Sequence, residues 1–162
     1  MHELKRMITQ TPVLAFYDPT KDLVIENDAC EYGLGSLLLQ NGKPIAYASH
    51  SLSDAEARYA QIEREMLAVV FGLEKFQHYV YGRHVKVITD YKPLVSIVTK
   101  PLLCAPRRLQ GLILHIQCYN YSLQYRSGKS IPIPNTLSRA QLTESDDAVL
   151  KTVSNVTPPS VQ

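Results

Sequence analysis

The sequence predicts an α/β fold (mixed α+β) built on a mixed sheet, and three observations carry that prediction. Strand-like runs open the chain, two of them joined by Asn41-Gly42, a dipeptide that favours a tight hairpin. An apolar stripe at steps of three and four then runs from Tyr59 to Val80, the period of an amphipathic helix. A β-branched run follows and stops at Asp90, so the helix is a crossover that allows two strands to lie parallel.

Residues 1–20 begin helix-like (HELKRMIT) and pass into the Pro-punctuated TPVLAFYDPT, which reads as a connector from a preceding domain. LVIEND (23–28) is the first strand, and the run from Tyr32 to Gln40 is the second. Gly33 and Gly35 ease the turn between them. KPIAYASH (43–50) returns antiparallel and completes a three-stranded meander. Ser53, with Glu56 three residues later, has the spacing of a capping box. Tyr59, Ile62, Met66, Val69, Leu73, Phe76 and Val80 then predict one long helix ending near Gly82. HVKVITD (84–90) is the fourth strand. Lys92-Pro93 breaks it, and PLVSIV starts a short helix. Pro106 marks the start of another helix, in which Leu109, Leu112, Ile113, Ile116 and Tyr119 face inward. YSLQYRS (121–127) alternates as the last strand, with Gly128 as its turn. The prolines of IPIPNTLSRA delay any closing helix until Asn135, which can act as its N-cap. The folded domain is therefore expected over 21–140, and the polar, Pro/Ser-rich 141–162 as a disordered tail.

A length of 162 residues suffices for one core, and 45% apolar with 20% charged residues is ordinary globular composition. No apolar run reaches the ~18 residues of a membrane span, and MHELKRMITQ lacks the apolar centre of a signal peptide. Cys30, Cys104 and Cys118 show no CxxC spacing, which fits a reducing compartment better than a disulfide framework. The five histidines show no zinc spacing, and no phosphate-cradling GxxxxGK[ST] is present. Charge is uneven: residues 91–140 hold 7 Lys/Arg and no Asp or Glu, against 9 Lys/Arg and 12 Asp/Glu in residues 1–90. An acid-free stretch of that length suits a polyanion, with Lys92, Lys100, Arg107, Arg108, Arg126, Lys129 and Arg139 as the candidate contacts. A solvated basic face is the alternative.

Three acids stand out by position. Asp28 and Asp90 end the first and fourth strands, and ligand sites of open α/β sheets lie at such carboxyl ends. Glu65 lies on the crossover helix, about 70° from the centre of the stripe, at the border between buried and wet. Glu63 is its near competitor, about 180° round the wheel. Acids gathered in this way can hold divalent metal ions around a phosphodiester.

From about Leu4 to Ala140 the chain resembles the ribonuclease H domain of gypsy-type LTR retrotransposon reverse transcriptases. The resemblance rests on LAFYDPTKDLVIENDACEYGLGSLLLQ, GKPIAYASHSLSDAEARYAQIEREMLAVVFGLEKFQHYVYGR, VITDYKPL, APRRLQ and YRSGKSIPIPNTLSRA, in that order and spacing. It implies a five-stranded mixed sheet flanked by helices, with the fourth and fifth strands parallel to the first. It also implies cleavage of the RNA strand of an RNA–DNA hybrid, by two magnesium ions (manganese being a substitute) on an Asp-Glu-Asp-Asp set. The first three members of the set fall on Asp28, Glu65 and Asp90. The fourth falls on Asn135, where the family reads Asp. Cys30 stands where a small hydroxyl residue is usual, and Tyr91 where a histidine follows the third acid. The implied partners are the hybrid and the polymerase and integrase regions of one polyprotein. The implied location is intracellular, cytoplasmic or nuclear, including retroelement particles, with no membrane partner.

An amide at position 135 can ligate but brings no charge. Losing one unit charge at about 4 Å weakens attraction by roughly 4 kcal/mol at an effective dielectric near 20. The expected result is a weak second metal site and reduced turnover. The alternative is the same fold without turnover, holding template-primer or kept as a structural remnant for protein contacts.

Overall fold

A computed structural model describes residues 14–127. The expected positions Lys129, Asn135 and Arg139, the closing helix and the 141–162 tail lie outside the described residues. Five strands form one sheet in the order β3-β2-β1-β4-β5: β1 is Leu23–Ala29, β2 Gly33–Gln40, β3 Lys43–Ser51, β4 His84–Thr89 and β5 Asn120–Tyr125. β1, β2 and β3 are the antiparallel meander, while β4 pairs in parallel with both β1 and β5. The expected mixed sheet is therefore present. Asn41 and Gly42 turn β2 into β3 with φ of 51° and 71°, the left-handed pair that matches strand twist in a two-residue hairpin. Gly33 and Gly35, expected in the turn, belong to β2 itself. β2 starts only after Tyr32, which is exposed.

The helical region is α1 (Asp54–Ala57), α2 (Gln61–Lys75), α3 (Gln77–Val80), α4 (Lys92–Val98) and α5 (Arg107–His115), with a 3-10 turn at Leu102–Cys104. Ser53 and Glu56 form the expected capping box. The single helix expected from Tyr59 to near Gly82 is two helices instead, α2 and α3. α2 starts at Gln61 and stops at Phe76, whose φ of −100° and ψ of 21° leave helical geometry. The break re-aims the chain, so Phe76 and Val80 both stay buried at the end of the stripe. Met66, Val69, Val70 and Leu73 of α2 pack with Leu23, Ile25, Leu38, Val85 and Val87 of the sheet, and Leu94, Leu109 and Ile116 close the same core. A smaller cluster of Leu37, Leu39 and Tyr47, with Val24 and Leu14, lies apart from it.

Residues 14–20 of the expected connector lie on the domain. The Ala15 amide donates to the Pro44 carbonyl (2.9 Å), and the Gln40 side chain both accepts from the Asp18 amide (2.8 Å) and donates to its carbonyl (2.7 Å). Tyr17 packs edge-on against Tyr79 and accepts from Arg83 Nη1 at 2.6 Å.

α2 sits close to the sheet at Gly72. A β-carbon there would overlap Asn27 Oδ1 and the Ser36 hydroxyl, which are hydrogen-bonded to each other, and would meet Ile25 Cγ2 at 3.2 Å. Backbone is not the obstacle; the buried polar pair is. Gly72→Ala should lower stability by about 1–3 kcal/mol through overpacking, despite alanine's better helix propensity, as read by urea unfolding. An unchanged midpoint would show that the helix can lift without cost.

Candidate active site

Strand register brings the first two acids together. Asn27 of β1 lies opposite Thr89 of β4 in the parallel ladder. The next residue along each strand is an acid, Asp28 and Asp90, so both leave the same edge of the sheet side by side. Glu65 arrives from the second turn of α2, which spans the meander and packs against β1 and β2. One carboxylate oxygen from each of Asp28, Glu65 and Asp90 lies within 4.8 Å of the others. Glu65 is 3% exposed, Asp28 5%, and Asp90 is half-buried. The border position expected for Glu65 is thus a buried one: a wheel gives direction around the helix, not how deeply the helix is seated, and Gly72 seats it deeply.

This cluster is electrostatically unfavourable on its own. Burial pushes the Glu65 carboxyl up to about 9; the charges of Asp28 and Asp90 add to the rise, and Arg64 opposes it. Glu65 Oε2 is buried with no hydrogen-bond partner among the described residues. An all-oxygen donor set, an orphaned buried oxygen and excess negative charge together fit a hard divalent cation. Asp28, Glu65 and Asp90 are the residues that would hold it. Such a cation supplies charge neutralisation and polarisation of water and phosphate oxygen when bound.

The other acids near the site have different partners. Glu63 Oε2 accepts from the Ala60 amide and from Arg108 Nη1, each at 3.0 Å, and the Arg108 guanidinium lies 4.2 Å from the centre of the Tyr59 ring. Glu63 thus caps α2 and ties it to α5. Glu26, 6% exposed, accepts from Arg126 Nη1 at 2.8 Å. Burial raises the Glu26 carboxyl and Arg126 opposes that rise. Of the seven basic candidates, Arg108 and Arg126 are therefore engaged in ion pairs. Lys92, Lys100 and Arg107 are exposed and form no ion pair among the described residues. Sequence reasoning passed over Glu26 and Arg64. A lone charge inside the apolar run of β1 was the available signal for Glu26, and adjacency to Glu65 the signal for Arg64.

Cation-free stability should depend on pH in a defined direction. The folded value of Glu65, about 9, lies above its ordinary 4.5, so the folded chain holds this proton more tightly than the unfolded one. Stability from this group is fullest below about pH 4.5 and declines as pH rises toward 9. Glu65→Gln removes that slope. Its melting midpoint should exceed the parent's by roughly 5 °C at pH 8, with the gap closing toward pH 5. Parallel curves for the two proteins would rule out Glu65 as the strained acid.

Comparison with known proteins identifies the family and the fold. A family described as an RNase H-like domain found in reverse transcriptase matches residues 18–119. The Pol polyproteins of the Drosophila melanogaster transposons 297 and opus are 32% and 36% identical to 88% and 85% of the chain. The chain spans only 13% and 14% of those polyproteins. A Tf2-3 transposon polyprotein of Schizosaccharomyces pombe is 29% identical over 86% of the chain, which covers 11% of it. Among solved structures, the prototype foamy virus protease–reverse transcriptase aligns with a TM-score of 0.63 at 18% identity, over 78% of this chain and 18% of that one. The N-terminal RNase H domain of a Mycobacterium tuberculosis protein aligns at 0.57 and 13% identity, over 83% and 97%. At such identities these structures share the fold. The family match, the polyprotein relatives and the sheet order agree: the chain belongs to the RNase H-like domains of retroelement reverse transcriptases.

Proposed function

We propose that this domain hydrolyses the RNA strand of RNA–DNA hybrids in a divalent-cation-dependent reaction at Asp28, Glu65 and Asp90. The observation that carries the reading is the three-acid cluster, with Asp28 and Asp90 at the carboxyl ends of two parallel strands and Glu65 reaching them from the packed helix α2. A foamy viral protease–reverse transcriptase of the same fold has been solved in complex with an RNA/DNA hybrid, which supports that substrate class. Asp28, Glu65 and Asp90 would hold two magnesium or manganese ions, with Asn135 as a weak, uncharged ligand of the second, and the ions would supply charge neutralisation and polarisation of water and phosphate oxygen. The rigid placement of the three acids on strand ends and a seated helix supplies the orientation on which an in-line displacement depends.

The hybrid contacts we propose are Lys92, Lys100 and Arg107 among the described residues, with Lys129 and Arg139 beyond them. Lys92 lies two residues after Asp90, and Arg107 adjoins the Arg108 that pairs with Glu63, two residues before Glu65. Lys92 is thus close in the chain to the acid cluster, and Arg107 extends the basic surface along α5. Contacts of this kind read phosphate and groove shape rather than base edges.

Purified chain is incubated with labelled RNA–DNA hybrid and magnesium or manganese. Cutting that disappears in Asp28→Asn supports the nuclease; hybrid binding without cutting in any metal would instead make the domain a template-primer holder. Asn135→Asp should raise the rate at limiting magnesium at least about tenfold, the discounted effect of one restored charge. An unchanged metal titration removes the role given to Asn135. Replacing Lys92, Lys100 and Arg107 together by Gln should lower the slope of log affinity against log salt by about two. A slope equal to the parent's would move the hybrid surface elsewhere.

A further inference from the structure

Arg126 was a candidate hybrid contact by charge alone, yet its geometry is that of a brace. It lies one residue past β5, and its amide donates to the Thr89 carbonyl at 2.9 Å, beside Asp90. Its Nη1 donates to Glu26 Oε1 at 2.8 Å, two residues before Asp28. In the sheet β4 lies between β1 and β5, with Glu26 opposite Ile88 and Ile88 opposite Gln124. The Arg126 side chain therefore crosses β4 to reach β1. One residue thus holds the backbone before one acid and the strand that carries another. The Glu26 side chain is 8% exposed, against 44% for Arg126. That asymmetry belongs to a cation neutralising a buried carboxylate, not to one waiting for phosphate.

We propose that Arg126 is a positioning residue: its pair with Glu26 locks the ends of β1 and β4 so that Asp28 and Asp90 present their carboxylates to one cation. The proposal rests on the cation-pocket reading given above. Without the guanidinium, Glu26 becomes an unpaired buried carboxylate close to Asp28, which disturbs the strand end and competes for the same cation. Partners one step outside a ligand set commonly change metal affinity by about 10–100-fold when removed.

Binding of Mn2+ is read by calorimetry on the whole chain, without hybrid, at a temperature where circular dichroism shows each variant folded. The parent should bind and Asp28→Asn should not. Arg126→Gln should weaken Mn2+ binding by about tenfold. The double variant Glu26→Gln/Arg126→Gln, which leaves no unpaired carboxylate two residues from Asp28, should recover part of that loss. Hybrid binding by Arg126→Gln should keep the parent's salt slope. If the parent binds and Asp28→Asn does not, an Arg126→Gln affinity equal to or tighter than the parent's overturns the brace and leaves the pocket standing. A lowered melting midpoint with affinity unmoved makes Arg126 merely structural and overturns it too. A salt slope reduced by about one, unrestored in the double variant, returns Arg126 to the hybrid surface. Failure of the parent itself to bind Mn2+ overturns pocket and brace together.

Discussion

Holding three carboxylates within 4.8 Å of one another, two of them buried, is the constraint to which the rest of this domain answers. Two unit charges at about 4 Å repel by roughly 4 kcal/mol even at an effective dielectric of 20. Left to itself such a cluster would spread or take up protons. Here Glu65 keeps its proton up to about pH 9, which relieves the repulsion, while packed elements hold the three members in place. Asp28 and Asp90 sit on adjacent strands, each paired on both sides: β1 between β2 and β4, β4 between β1 and β5. Glu65 sits on a helix pressed onto the sheet through Gly72, where no larger residue fits.

The treatment of the other buried acids sets this cluster apart. Glu63 has a backbone amide and Arg108; Glu26 has Arg126. Each buried charge outside the cluster is thus neutralised where it stands, the usual requirement for keeping a carboxylate out of water. Within the cluster the nearby positive charge is Arg64, and Glu65 remains far above the ordinary carboxylate range. The fold supplies arginines to Glu63 and Glu26 but leaves the Glu65 carboxyl raised, the pattern expected of a group kept for a ligand. Glu63 and Glu65, two residues apart on one helix, are thereby separated into a capping acid and a site acid.

Much of the fold was legible because local chemistry and long-range packing agree there. Asn41-Gly42 fixes the hairpin, Ser53 and Glu56 cap a helix, and the β-branched run before Asp90 is a strand whatever surrounds it. The crossover helix then implies parallel β1 and β4, and with them the meeting of Asp28 and Asp90. What escaped depends on partners far along the chain. The break at Phe76 has no proline or glycine to announce it. The Glu63–Arg108 and Glu26–Arg126 pairs join residues 45 and 100 positions apart, so no periodicity reveals them. For the same reason charge counting gave Arg108 and Arg126 to the solvent-facing surface when their guanidinium groups hold buried acids.

That reassignment sharpens how the domain would handle two opposite charges of ligand. A cation needs concentrated negative potential, and a hybrid needs a positive surface beside it; a uniform mixture of charges would serve neither. Here the described basic residues after position 90 divide by pairing, since all of them are exposed. Arg108 and Arg126, both still exposed, pair with the buried acids Glu63 and Glu26. Lys92, Lys100 and Arg107 remain exposed, Lys92 just after Asp90 and Lys100 on the connection between α4 and α5. Pairing Glu63 and Glu26 with arginines would keep their charge from adding to that of the three site acids. A polyanion can then come near a cluster of carboxylates without meeting a broad repulsive face, which is the electrostatic condition that cleaving a nucleic acid at this edge of the sheet requires.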